Sequence, residues 1–322
     1  MSRIMQANVY ANKITLSNEE WRELRRKGIG GSDAAGIMGL NPYSTPFSVY
    51  ADKLGILPEK EDTEAMRQGR DLEEYVARRF REDMAEKGTP KRTKETRYML
   101  QHPNYPWMLA NVDRLIIGEE AGLECKTTSV LNLRKFKNGE YPDQYYVQCV
   151  HYMAVTGAKR WYLGVLILNQ GYKTFIIERD EEEIELLIKT EKEFWENHVR
   201  KSVPPEIDGL KATTNALGAV YNTPNDGEIE LADLDIASNL MELKAEAKAI
   251  DEQISKCENI LKAGMGDNSY ASCGDYAISW KQETRSTFDA KRFAAEHKNI
   301  DLADYYKIST FRKFSIKEKR VS

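Results

Sequence analysis

Glu124-Cys125-Lys126 sets a carboxylate and an ammonium two residues apart in a short apolar stretch. On a strand successive side chains alternate faces, so Leu123, Cys125 and Thr127 point one way while Glu124 and Lys126 line the other, about 7 Å apart at their Cα atoms. Alone, such a pair is an ordinary solvated ion pair of little weight. Asp113 changes that reading. It stands inside Ala110-Asn111-Val112-Asp113-Arg114-Leu115, 11 residues before Glu124, and a short hairpin would bring the two carboxylates together. Acidic groups in apolar strands are costly to bury without a compensating cation, and two that converge are natural ligands for a hard divalent ion such as Mg2+.

These groups need a scaffold, and the sequence predicts one. Strand character runs through residues 97–101, 107–117 and 122–127, each bounded by turn-forming residues, and returns in the apolar run 161–168 and its hairpin partner 172–178. Helices are expected from the capping box at Ser17-Asn18-Glu19-Glu20 to about Lys27, from Ser32-Asp33, from Thr45-Pro46, over about residues 62–87, from Pro142-Asp143 to about Thr156, and onward from Asp180. In the long helix Met66, Leu72, Val76 and Phe80 recur at near-helical spacing and turn one side to the core. The order of helices, three strands, helix, two strands and helix predicts an α/β domain, a mixed sheet flanked by helices.

The 322 residues leave room for one large or two smaller domains, and Val203-Pro204-Pro205-Glu206 interrupts a helical pattern, so the boundary is placed there: 1–203 and an accessory region, 204–322. An apolar share of 41% excludes wholesale disorder. With 47 basic against 51 acidic residues, net −4, total charge gives no argument for nucleic acid or membrane. No apolar run approaches the roughly 20 residues of a membrane span, and residues 1–13 hold no signal core, so a cytoplasmic protein is expected. Cys125, Cys149, Cys257 and Cys273 form no CxxC and read as reduced thiols, against a disulfide framework or a zinc site.

In the second region Ile236, Leu240, Leu243, Ala247, Ile250, Ile254, Cys257 and Leu261 alternate at spacings of four and three. Such a seam requires a partner helix, from its own domain or from another chain. A hairpin over 269–280, a helix over 289–298 and a basic, aromatic end with Arg312, Lys313, Lys317, Lys319 and Arg320 follow.

The order Asp113, then Glu124-Cys125-Lys126, resembles the PD-(D/E)xK nuclease superfamily, with Val112 where the family often has Pro. Gly69-Arg70-Asp71-Leu72-Glu73 is similar to the helix-borne acid of the RecB and lambda-exonuclease branch, and Gln148-Cys149-Val150-His151-Tyr152 to its QxxxY helix motif. Val150 replaces a second Gln common in that branch. The resemblance implies a restriction-endonuclease-like fold and Mg2+ as cofactor, with Mn2+ as a substitute and two ions per site. Asp113, Glu124 and the Cys125 backbone carbonyl would be ligands, and Glu73 would serve a second ion or its water. Lys126 would orient the attacking water, with Gln148 and Tyr152 supporting it.

Glu19-Glu20-Trp21-Arg22-Glu23-Leu24-Arg25 followed by Gly30-Gly31-Ser32-Asp33-Ala34-Ala35 resembles the YqaJ-like viral recombinases, and the likeness spans about residues 16–200. It implies that Arg25 and Ser32 bind the 5′-phosphate of a DNA end. The physics agrees, since a Gly-rich turn entering a helix presents backbone donors and an Arg fork completes an anion pocket. The clusters Arg22/Arg25/Arg26/Lys27, Lys91/Arg92/Lys94/Arg97 and Arg134/Lys135/Lys137 are candidates for duplex contact. The activity implied is a 5′-to-3′ double-strand DNA exonuclease making 3′ tails for phage-type recombination. A RecT-like annealing protein would be its partner, a trimeric homo-oligomer its assembly by analogy, and a bacterial cell hosting a phage or prophage its setting. An endonuclease or repair nuclease, or a non-catalytic DNA-end binder, are the alternatives.

Overall fold

Arg3–Ile4 (β1) and Ala7–Asn12 (β2) form an antiparallel hairpin at the start of the chain, whose computed structural model describes residues 3–58, 62–298, 300, 305–307 and 312–317. A 3-10 turn at Lys13–Thr15 leads to α1 (Asn18–Arg26). The Ser17 hydroxyl accepts the Glu20 N–H at 3.2 Å and the Glu20 carboxylate accepts the Ser17 N–H at 2.8 Å, the capping box that the sequence predicts. Then come α2 (Gly31–Ile37), α3 (Pro46–Lys53), capped by Thr45 with Pro in its first turn, and α4 (Glu64–Glu86), capped by Thr63.

The strands β3 (Thr93–Glu95), β4 (Tyr98–Gln101), β5 (Leu109–Ala110), β6 (Arg114–Ile116) and β7 (Ala121–Thr128) precede a 3-10 segment, Val130–Phe136, and α5 (Asp143–Thr156). The first unit continues with β8 (Arg160–Ile167), β9 (Gly171–Glu178), α6 (Glu181–Phe194), a π-turn through Val199, and α7 (Lys211–Val220).

The central sheet has the order β3-β6-β7-β8-β9, antiparallel except for the parallel pair β7–β8, which α5 connects. Helices cover both faces of β8, so it reads as an unbroken apolar run. Trp161, Leu163, Val165 and Ile167 pack with α5, while Tyr162 joins Phe80 and Met84 of α4 on the opposite side. The mixed sheet between helices is the architecture expected.

One predicted strand is two. Residues 107–117 divide between sheets: β5 completes the antiparallel order β1-β2-β4-β5, and β6 belongs to the central sheet. Side chains replace the ladder across the gap. Tyr152 donates its hydroxyl to the Asn111 carbonyl at 3.0 Å, and the Cys125 N–H donates to Asp113 Oδ2 at 2.8 Å.

The compact first unit runs to Asn222, past the 202–208 connector. α7 holds to α3 through Thr213, whose buried hydroxyl donates to Thr45 Oγ1 at 2.7 Å. The second unit, from Thr223, carries α8 (Leu234–Met265), the hairpin β10 (Tyr270–Cys273) and β11 (Tyr276–Ser279), and α9 (Ala290–Glu296). The seam of α8 faces solvent rather than its own domain, with Leu243, Ile250 and Ile254 all more than half exposed. Lys319 and Arg320 of the basic end lie outside the described residues. The four cysteines are unpaired, and among the described residues no helix is long and apolar enough to cross a membrane.

Candidate active site

The turn between β6 and β7 folds Asp113 back against Glu124, as the spacing requires, because Arg114 pairs with Leu123 and Leu115 with Gly122. Along β7 the faces alternate as expected. Leu123 and Cys125 pack toward α4, while Glu124 and Lys126 meet on the other side with Nζ 2.6 Å from Oε1. Gln148 of α5 closes the triangle, donating from Nε2 to Glu124 Oε1 at 2.7 Å and accepting from Lys126 Nζ at Oε1, 2.9 Å away. Its Nε2 also donates to the Tyr152 hydroxyl at 2.8 Å. Val150 is buried in the apolar core, so Gln148 alone serves this face of the helix.

The electrostatics are unbalanced. Glu124 is 3% exposed, and its Oε2 is buried with no hydrogen-bond partner among the described residues. Burial, and next to it the Glu124 carboxylate, push the Asp113 carboxyl up to about 8 despite the opposing pull of Lys126. Burial pulls Lys126 down, but the carboxylates of Glu124 and Asp113 outweigh it and hold the ammonium above its usual range. Two acids therefore share one cation. That donor set, oxygens with a surplus of negative charge, fits a hard divalent ion, with the Cys125 carbonyl on the same strand as a further oxygen.

Glu73 does not complete the set. Its carboxylate is bonded to the buried Arg114 guanidinium, which also reaches Glu74 at 3.2 Å and the Asp113 carbonyl at 2.8 Å. Burial and the Asp113 charge nevertheless raise its pKa, so it feels the same site. Among the described residues no three His, Cys, Asp or Glu side chains converge in a metal-holding group.

Arg25 and Ser32 come together as the sequence predicts, Nη2 donating to Oγ at 3.2 Å, with the guanidinium 4.9 Å above the Trp21 ring. The turn itself differs from the expectation of free backbone donors. The Gly30 N–H is taken by Asp33 Oδ2 at 2.8 Å, and the same oxygen receives Lys53 Nζ at 2.5 Å. Burial would raise Asp33, but Lys53 and then Arg25 lower it, and the carboxylate stays charged as the anchor of the turn.

Ile29 ties this pocket to the acids. Its N–H donates to the Trp107 carbonyl at 2.6 Å and its carbonyl accepts the Leu109 N–H at 2.8 Å, on the strand that leads into Asp113. Gly31 lies against α5, where an added Cβ would sit 2.7 Å from Tyr152 Cε1 and 2.9 Å from Gln148 Cγ. Gly31→Ala is expected to cost about 1–3 kcal/mol by overpacking. Unchanged thermal unfolding would contradict that contact.

Sequence reasoning passed over Lys13, Arg114 and the Asp33–Lys53 pair. Lys13 makes no side-chain hydrogen bond or ion pair among the described residues. Burial lowers its pKa against the pull of Asp113 and Glu73, so a cation stands spare beside the acids. A lysine right after an alternating strand was its only signal.

A family model for the YqaJ-like viral recombinase domain matches residues 20–159, a span that includes Arg25, Ser32, Glu73, Asp113, Glu124, Lys126, Gln148 and Tyr152. The protein named "Uncharacterized protein YqaJ" of Bacillus subtilis (strain 168) is 37% identical over 319 residues, 97% of this chain and 98% of that one. Among solved structures, the alkaline exonuclease LHK-Exo of Laribacter hongkongensis aligns at 22% identity and TM-score 0.47, over 58% of this chain and 94% of its own. A phage related exonuclease from Haemophilus somnus 129PT aligns at 14% identity and TM-score 0.39, over 56% and 99%. Identity sustained along nearly the full length of both the chain and its Bacillus relative, with the domain match lying over the acids and the Arg25 turn, makes this chain a member of the YqaJ-like viral recombinase family.

Proposed function

We propose that this protein is a Mg2+-dependent double-strand DNA exonuclease that hydrolyses from 5′ ends and leaves 3′ single-stranded tails for recombination. The observation that carries the reading is the charge deficit between β6 and β7: a buried Glu124 oxygen without a partner beside an Asp113 carboxyl pushed up to about 8. Asp113, Glu124 and the Cys125 carbonyl would hold the ion, Mn2+ substituting, and Glu73 would serve a second one after leaving Arg114. The bound ion supplies a hydroxide at neutral pH and screens phosphoryl charge.

The chain's own groups do the rest. An ammonium has three donors, and Glu124 and Gln148 occupy two on Lys126. The third is left for the attacking water or a phosphoryl oxygen, at a position fixed by Gln148 and, behind it, by Tyr152. Arg25 and Ser32 offer a planar fork and a hydroxyl to a terminal 5′-phosphate, and Asp33 with Lys53 keeps that turn from shifting. A RecT-like annealing protein is the proposed recipient of the tails.

The test is a linear duplex carrying either a 5′-phosphate or a 5′-hydroxyl. The phosphorylated end should be preferred, and Arg25→Ala should erase the preference with a loss of about 10–100-fold in kcat/KM, the worth of a charge-assisted contact. Cleavage of covalently closed circles, or nucleotide release indifferent to Mg2+, would overturn the reading.

A further inference from the structure

The long helix of the second unit has a face without an occupant. α8 spans 32 residues, about 48 Å at the helical rise, and its apolar seam runs the length of it. Ile236, Leu243, Ile250, Ile254 and Leu261 are 65%, 53%, 56%, 51% and 43% exposed. Apolar residues at alternating spacings of four and three, sustained for about four heptads, form a stripe that a single chain exposes only at a cost. The same stripe on another α8 is a partner of matching length and matching spacing.

Charge decides how two copies would lie. In a parallel pair the flanking positions bring Glu246 of one helix to Asp251 of the other, a like-charge contact made twice, while Lys244 meets only Asn239. Running the helices in opposite directions removes that clash. Lys244 of each copy then stands beside Asp251 of the other, with Glu258 the next acid along that edge, and Glu246 faces Gln253. The same register stacks Leu240 on Cys257, Ala247 on Ile250, Ile254 on Leu243 and Leu261 on Ile236, so every seam residue has a counterpart and the smallest faces a large one. Lys244 already lies 5.9 Å from the Phe314 ring, at the outer limit of a cation–π contact, and keeps its donors for a carboxylate.

We propose that a second copy of this chain docks on this face, and that the protein associates as a dimer through an antiparallel coiled coil of α8. The inference is independent of the nuclease reading. The full-length protein should show twice the 37.0 kDa chain mass by light scattering at micromolar concentration. Ile250→Glu combined with Leu243→Glu should return it to monomer without loss of folding, because both side chains face solvent in the single chain. Lys244→Glu should weaken the dimer at least several-fold.

Orientation is read by oxidation in a Cys273→Ser background. Leu240→Cys should give a disulfide-linked dimer with Cys257 of the other copy. Cys257 alone should give none, since the two Cys257 positions lie about 25 Å apart along the axis. A monomeric mass for the natural chain, a dimer indifferent to the Ile250→Glu change, or ready cross-linking through Cys257 alone would each overturn the proposal.

Discussion

Asp113→Asn is expected to lower nucleotide release by about 10²–10³-fold or more, the scale of losing one charge-stabilising group, and at the same time to raise the melting temperature of the metal-free protein. Two buried carboxylates share Lys126, and the Asp113 carboxyl is raised from 3.8 to about 8 by burial and by Glu124. A group raised in the folded state holds its full contribution to stability below its unfolded pKa and loses it as pH climbs through the folded value. Metal-free protein should therefore lose stability between about pH 4 and pH 8 and level off above. Asparagine cannot ionise, so the variant should lack that decline. Divalent ion should reverse the pattern in the natural chain, since it competes with the proton and stabilises most where the carboxyl is ionised. Thermal unfolding in EDTA and in Mg2+ at pH 5, 7 and 9 reads all of this. A variant that is less stable than the natural chain at pH 9 in EDTA would refute the account.

His151→Ala should be the most damaging single change to the fold outside the sheet. His151 and Glu191 are both fully buried, with Nδ1 2.7 Å from Glu191 Oε1 and Nε2 donating to the Leu109 carbonyl at 2.9 Å. Burial works against a charged imidazole, yet the Glu191 carboxylate outweighs it and raises the His151 pKa. Removing the ring strands a carboxyl whose Oε2 already lacks a partner among the described residues. Breaking a buried pair from one side costs about 3–5 kcal/mol. For a unit of this size that is about 6–20 °C in Tm, since each kcal/mol shifts it by about 2–4 °C. Glu191→Gln keeps a hydrogen-bonding group and should lose far less. Denaturant unfolding checks both, and a cost below about 1 kcal/mol for His151→Ala would show that the pair contributes nothing.

The catalytic spacing was legible because it rests on local rules. Alternation along a strand places Glu124 with Lys126, and a tight turn returns Asp113 to them. The Ser17 and Thr45 caps were legible for the same reason. What was not legible lies between residues far apart in the chain. Nothing near Glu73 announces that Arg114, 41 residues on, will hold it. Nothing near Lys53 tells that it will be buried to neutralise Asp33. β1 and β2 are short and mostly polar, so periodicity could not find them. The split of residues 107–117 depends on Tyr152 and Cys125 supplying bonds from elsewhere in the sequence. The α8 seam was legible as a pattern, whereas the absence of a cover for it within the chain was not.

The contact between Gly31 and α5 has one more outcome. Hydrogen stands where any other residue would put carbon, so the turn that carries Arg25 and Ser32 and the helix that steers Lys126 share a wall with no slack in it. Grip and cut then cannot drift apart: an end seated crookedly at the turn would tilt the very amide that aims the ammonium. Fidelity to a properly seated terminus would follow from a missing methyl group, with no moving lid required.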